Sequence, residues 1–458
     1  MKSALHLADI ARWTGGRLHG ADCVVESVVT DSRAAGPGAL FVALEGERFD
    51  GHAFAAAALA QGSAALLVAQ ALPLDAPQVV VADTRRALGE LARGWRGQCR
   101  ARVVGITGSN GKTTVKTLLG SILARHGRTH VNPGNFNNEV GLPLAVLAMP
   151  ADCEFAVFEM GAGKPGDIAY LARIAGPDAG LVNNVAAAHL ERMGSLQGVA
   201  ETKGALYRAL PADGVAVINV DDPFAGYFAR LASPRRVIGF GLMHPAEVSA
   251  SFDARAGADG HFRLLTPAGH ADIALPLVGR HNVMNALAAS GLALALGVPL
   301  AAIHAGLEAA PVVSGRLSRH VLACGAVVID DSYNANPGSF AAAIATLAAT
   351  PGEALLVMGD MKELGCEGER LHAETGALAR RSGIARLYAV GELSAAAVRA
   401  FGAGARHFPD QAALVAALRE ALCEGLTVLV KGSRSSAMER VVHALTGNPD
   451  HPGDTHAA

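Results

Sequence analysis

At 458 residues the chain exceeds what one hydrophobic core normally serves, so two or three domains are expected. Half of it is apolar (51%) and its formal net charge is −2, which exclude a disordered chain and leave no electrostatic footprint for nucleic acid. Six cysteines stand singly, without a C-x-x-C pair or histidines at zinc spacing, as reduced core residues of a cytoplasmic protein do.

The first thirteen residues carry Asp9 and Arg12 among apolar neighbours, so no signal peptide is expected, and no segment is long enough for membrane insertion. Short β-like runs follow at 24–30, 39–44, 64–68 and 78–81, closed by a helix predicted over 84–95. They read as a small mixed α/β domain over 1–98. An apolar strand at 103–107 leads through a glycine-containing loop into a helix that starts at Lys112. That helix sets Val115, Leu118, Leu119, Ile122 and Leu123 on one stripe for packing against a sheet. Strands at 155–159, 179–183 and 215–219 alternate with helices, which implies a mostly parallel sheet covered on both faces. Residues 245–276 read as an antiparallel excursion before a helix at 282–296, closing a domain over 99–313. From 314 to 458, strands at 327–331, 354–359, 386–390 and 427–430 alternate with helices in a second doubly wound, Rossmann-like domain. The tail after Gly447 is expected to fray. The fold class is therefore α/β, in three domains.

The strongest local signal is G-I-T-G-S-N-G-K-T-T at 105–114, between a strand and a helix. In that setting, backbone N–H groups and the helix N-terminus hold phosphate oxygens, and a lysine neutralises the β/γ phosphates. Gly108, Ser109, Asn110, Gly111, Lys112, Thr113 and Thr114 form the loop, with the Thr113 hydroxyl placed for Mg²⁺. The general pattern wants glycine where Ile106 stands, so the loop is a variant.

Other candidates carry two readings each. Glu159 ends an apolar strand at the edge where α/β proteins bind ligands, as a metal-binding acid or as a solvated cap. Asn282 and Asn285 open a helix and either cap it or meet a nucleotide. Asn135, Asn137 and Asn138 crowd a Gly/Pro-punctuated loop, where turn chemistry and recognition of an amide-rich substrate stand equal.

Together these stretches resemble the Mur ligases. The resemblance runs through T-G-S-N-G-K-T-T, Glu159, His189 in N-N-V-A-A-A-H, Lys203 in E-T-K-G, H-N-V-M-N at 281–285, S-G-R at 314–316 and D-D-S-Y-N-A-N-P at 330–337. N-P-G-N-F-N-N at 132–138, M-G-D-M-K-E-L-G at 358–365 and K-G-S-R-S at 431–435 look like the branch that uses D-alanyl-D-alanine. T-D-S-R at 30–33 resembles that branch's UDP-sugar domain. The resemblance implies an ATP-dependent ligase joining D-alanyl-D-alanine to a UDP-N-acetylmuramoyl-tripeptide through an acyl phosphate, acting as a monomer. It implies Lys112, His189 and Lys203 as catalytic, Thr113, Glu159, His189 and a carbamylated Lys203 as Mg²⁺ ligands, and Asn282, Asn285, Arg316 and Asp331 on ATP. For the remaining substrates it implies Asp31, Ser32, Arg33, Asn135, Asn137, Asn138, Asn334, Asn336, Lys431, Ser433 and Arg434. The alternatives are a sibling ligase adding the third amino acid, or, from another class, a nucleotide-dependent switch.

Overall fold

The computed structural model describes residues 4–46, 49–187, 190–252, 260–311 and 313–447. The expected tail after Gly447 and the candidate His189 lie outside them. Among the described residues, no helix is long and apolar enough to cross a membrane.

The first sheet comprises β1 (Arg17–His19), β2 (Ser27–Val29), β3 (Ala39–Val42), β4 (Ala65–Val68) and β5 (Gln78–Val80) in the order β1-β5-β4-β3-β2. Only β1 runs antiparallel to its neighbour. Strands β3 and β4 are buried along their whole length, which explains their unbroken apolar sequences. Helix α1 (Thr84–Arg96) begins where the Asp83 side chain accepts the Arg86 backbone N–H, a cap that satisfies one orphan donor.

The central sheet is parallel throughout, from β6 (Arg102–Thr107), β7 (Thr129–Val131), β8 (Phe155–Glu159), β9 (Ala179–Val182), β10 (Val215–Asn219) and β11 (Arg236–Phe240). Its order is β11-β10-β9-β6-β8-β7. Side chains alternate across it: Val103, Ala156 and Phe158 join one core, while Val104, Phe155 and Val157 join another with the stripe of helix α2 (Lys112–Leu123). Strands β6, β8 and β9 are neighbours, so their carboxyl ends bring the phosphate loop, Glu159 and Asn183 to one edge. The excursion is a three-stranded antiparallel sheet, β12 (Ser249–Ser251), β13 (His261–Thr266) and β14 (Gly269–Ala274).

A second six-stranded sheet follows: β15 (Ser318–Val321), β16 (Val327–Asp331), β17 (Glu353–Gly359), β18 (Arg386–Val390), β19 (Ala405–Phe408) and β20 (Leu426–Lys431). Its order is β15-β16-β20-β17-β18-β19, parallel but for the antiparallel edge strand β15.

We propose 1–98, 99–313 and 314–458 as the domain limits, yet the first limit is no break in packing. One continuous core runs from Leu40, Val42 and Leu67, through Leu88, Leu91 and Trp95 of α1, to Ala156 and Phe158 of the central sheet. The Trp95 indole N–H donates to the Met149 carbonyl at 3.1 Å inside it. The two cores of the last sheet, by contrast, contain only residues from Leu317 onward. All six cysteines are free, but only Cys99 and Cys153 are buried; Cys324, Cys366 and Cys423 are exposed, which corrects their reading as core residues.

Candidate active site

A cavity of about 740 Å³ lies between the phosphate loop and the C-terminal sheet. The loop's backbone explains its glycines. Gly111 starts α2 with φ +79°, where a Cβ would lie 2.3 Å from Asn285 Oδ1 and 2.4 Å from Asn183 Nδ2. Neither the conformation nor the space admits a side chain. Asparagines hold the loop from beneath. The Asn110 backbone N–H donates to Asn184 Oδ1 at 2.8 Å, and Asn183 Nδ2 donates to both the Asn110 carbonyl and Asn285 Oδ1 at 3.0 Å. Asn285 Nδ2 in turn donates to Asn282 Oδ1 at 3.1 Å. Asn282 and Asn285 therefore do not cap their helix, α3 (Arg280–Ala295), whose N-cap Gly279 has no side-chain cap. Ser109 Oγ donates to the Ala186 carbonyl, and Thr114 is a buried part of the cavity wall.

Charge is concentrated at the loop. The Lys112 and Lys203 ammoniums converge on the Gly108 carbonyl at 2.9 and 3.2 Å. Burial pushes the Lys203 amine down to about 7, and the neighbouring Lys112 adds to the effect. Lys112 is lowered by burial too, with Glu159 opposing. Glu159 is buried, and Thr113 Oγ1 donates to its Oε2 at 2.8 Å. Burial alone would push this carboxyl up, but Lys116, Lys112, Arg316 and the Asn137 amide together hold it below its ordinary value. Arg316 reaches across from the C-terminal region, donating to Thr113 Oγ1 at 2.9 Å and lying over the Tyr333 ring.

The amide-rich loop is fastened inward. Asn132 Oδ1 accepts the Glu159 backbone N–H at 2.9 Å, and Asn137 Nδ2 donates to Glu159 Oε1 at 2.9 Å. Asn138 Oδ1 accepts from the Gly141 backbone N–H at the start of the helix Gly141–Leu147, and lines the cavity with Asn137. Asn135 is exposed and outside the cavity lining.

On the C-terminal side, Asp331, Asn334, Asn336 and Lys431 line the cavity. Lys431 Nζ donates to Asp331 Oδ2 at 2.6 Å and to the Asn334 carbonyl at 3.0 Å, so the two charges meet each other. Asn336 caps the helix Pro337–Ala348, accepting the Ser339 N–H, and exchanges amide hydrogen bonds with Asn110 of the phosphate loop at 2.7 and 3.3 Å. Ser433 Oγ instead donates to the Asp360 carbonyl, and Arg434 pairs with Glu439; neither lines the cavity. Asp31 caps the turn Ser32–Ala34 and pairs with Arg33 at 2.6 Å, on an exposed surface apart from the cavity.

The sequence reading missed Lys116. Its side chain is buried, with Nζ 3.0 Å from the Asn132 carbonyl, 2.9 Å from the Gly134 carbonyl and 3.4 Å from Glu159 Oε2. The available signal was its position four residues after Lys112, which puts both lysines on one face of the helix.

Comparison with known proteins assigns the chain to a family. The chain matches models of the Mur ligase family catalytic domain over 24–96, the Mur ligase middle domain over 106–293 and the Mur ligase glutamate ligase domain over 315–434. It is 45% identical over 448 residues to the UDP-N-acetylmuramoyl-tripeptide--D-alanyl-D-alanine ligase of Escherichia coli K12, covering 96% of this chain and 98% of that protein. Its fold is similar to the crystal structure of MurF from Acinetobacter baumannii, at TM-score 0.93 and 34% identity, over 98% of this chain and 100% of that one. It is also similar to the MurF ligase of Thermotoga maritima in complex with ADP, at TM-score 0.82 and 29% identity, over 92% and 97% of the two chains. With a phosphate loop of the family's own form and this similarity along nearly its whole length, the chain belongs to the Mur ligase family.

Proposed function

We propose that this chain joins D-alanyl-D-alanine to the terminal carboxylate of UDP-N-acetylmuramoyl-tripeptide in the cytoplasm, with ATP cleaved to ADP and phosphate. The observation that carries the reading is the convergence of Lys112, Glu159 with Thr113, and Arg316 on one cavity, beside the phosphate loop that starts α2. The carboxylate oxygen takes the γ-phosphoryl group of ATP and becomes an acyl phosphate. The dipeptide's amine then attacks the acyl carbon, phosphate departs with the bonding electrons, and the ammonium proton is lost.

The chain's own residues address the obstacle that two anions must approach each other. Lys112 is held by the Gly108 carbonyl beside the phosphate position, and Arg316 brings a second cation from the opposite wall. Such preorganised charge, together with alignment of the reacting atoms, is what phosphoryl transfer chiefly requires. The Asn110–Asn336 pair ties the phosphate loop to the C-terminal wall of the cavity, and exclusion of water there limits hydrolysis of the acyl phosphate.

The donor set suits Mg²⁺: the Glu159 carboxylate and Thr113 hydroxyl are hard oxygens, adjacent and at the cavity wall. When bound there, the ion supplies further neutralisation of phosphate charge. Lys203 fits that set only as a carbamate. Its lowered amine gives it the uncharged form that adds to CO₂, losing one proton, and among its hydrogen bonds no carboxylate partner stands in the way.

Purified protein with ATP and Mg²⁺ should release phosphate only when both the UDP-tripeptide and D-alanyl-D-alanine are present, with a pentapeptide product by mass. Release that ignores the dipeptide and responds to a free amino acid would overturn the substrate assignment. Lys112→Ala should lower kcat by at least about a hundredfold while the circular-dichroism melt stays near wild type.

A further inference from the structure

Asn132–Asn138 borders the cavity, yet the Asn132 and Asn137 side chains turn to Glu159 at the end of β8 rather than outward. Pro133, Gly134 and Asn135 are exposed, and Phe136 is the loop's apolar anchor, packed against the core at one end. Beneath the exposed crest lies a buried ammonium. Lys116 rises from α2 beneath the loop and distributes its donors among two loop carbonyls, Asn132 and Gly134, and the Glu159 carboxylate. A lysine ammonium has three N–H donors, and three acceptors surround this one. Asn137 reaches the same carboxylate from the other side.

We propose that Lys116 is a positioning residue for the UDP-tripeptide: it fixes the height and order of the Asn132–Asn138 loop over Glu159, and so sets where the acceptor carboxylate lies relative to the phosphate loop. The inference rests on the ligase reading above and deepens it. Lys116 reaches no reacting atom. It acts through two backbone carbonyls that no other side chain among its hydrogen bonds replaces.

A plain structural role makes a different forecast. If Lys116 only balanced the buried charge of Glu159, its loss would disturb the Thr113–Glu159 pair and the ATP side at least as much as the acceptor side. If it positions the loop, the effect divides. Lys116→Met keeps the length and most of the volume of the side chain and removes its donors. The full chain carrying it should show KM for UDP-tripeptide raised about tenfold or more, since two charge-assisted hydrogen bonds to the loop are gone. KM for ATP should stay within about threefold. Hydrogen exchange of peptides covering 132–138 should speed up in the free protein, while peptides covering β6 and α2 exchange as before. Equal rises in both KM values, or unchanged exchange in the loop, would overturn the proposal. Should Lys116→Met fail to fold, Lys116→Gln, which retains a donor on a shorter arm, is read by the same two measurements. Wild-type ligation confirms the parent reading independently, so failure of the two is distinguishable.

Discussion

His281 lies at the start of the long central helix with its ring on the cavity wall, and burial together with the nearby Lys431 pushes its imidazole down to about 4. It is therefore neutral at pH 7 and does not repel Lys431. In the unfolded chain an ordinary histidine protonates near pH 6.5. As pH falls from there toward 4, the unfolded state takes up a proton that the folded state refuses, so stability drops across that window. The full separation amounts to about 3 kcal/mol, and the residue's intermediate exposure reduces it to roughly 1–3 kcal/mol. His281→Gln should lose less stability than wild type between pH 7 and pH 4.5, judged from urea midpoints; parallel losses would refute this. The loop variant T-G-x-x-G-K-T-T, and the placing of Glu159 at the carboxyl edge of the sheet, were legible because each is a local pattern with a local reason. Lys116 was not, since a helical period reports which face is apolar and says nothing about which carbonyls a buried amine will find. Nor was the pairing of Lys431 with Asp331, 100 positions apart in the chain.

Among elements, the helix Pro337–Ala348 has the clearest division of labour. Its N-cap Asn336 completes a capping box with Ser339 and grips Asn110 with the same amide. Asn336→Ala removes both contacts. The cap alone is worth about 1 kcal/mol, which should appear as a lower melting transition of the C-terminal region. The lost grip should appear separately, as a higher KM for ATP. A lowered melt with unchanged KM would leave the amide pair without a role in nucleotide binding. The inner strands of the three larger sheets were readable as apolar runs, and the antiparallel excursion as a change of texture. The edge strands Arg17–His19, Thr129–Val131, Arg236–Phe240, Ser318–Val321 and Ala405–Phe408 were not, because an edge is less completely buried; Ser318–Val321 carries Arg319 and His320 among its four residues. The asparagine network under the phosphate loop also escaped notice. Its members come from residues 110, 183, 184, 282 and 285, and only the sheet order brings them together.

For the molecule as a whole, the distribution of apolar surface predicts how it comes apart. The first and central sheets share a core through Trp95, whereas the last sheet meets the phosphate loop through Asn110–Asn336 and Arg316–Thr113, which are polar. Calorimetry should resolve two transitions. Trp95→Ala should destabilise the larger one by about 3–5 kcal/mol and leave the other in place. A single transition, or one in which both move together, would show that the polar contact couples the parts as tightly as the shared core.

That asymmetry makes the enzyme resemble a vice with one fixed jaw. The loop Asn132–Asn138 and the phosphate loop belong to the same sheet and are tied together through Lys116 of α2, so their mutual register is set when the chain folds. The other jaw is the C-terminal sheet, held to the phosphate loop by polar contacts, and a swing of a body of that size would drag solvent with it. Where such a swing limits the cycle, turnover becomes sensitive to friction: kcat should fall as sucrose thickens the medium, while the Lys112→Ala enzyme, limited by chemistry, should not respond.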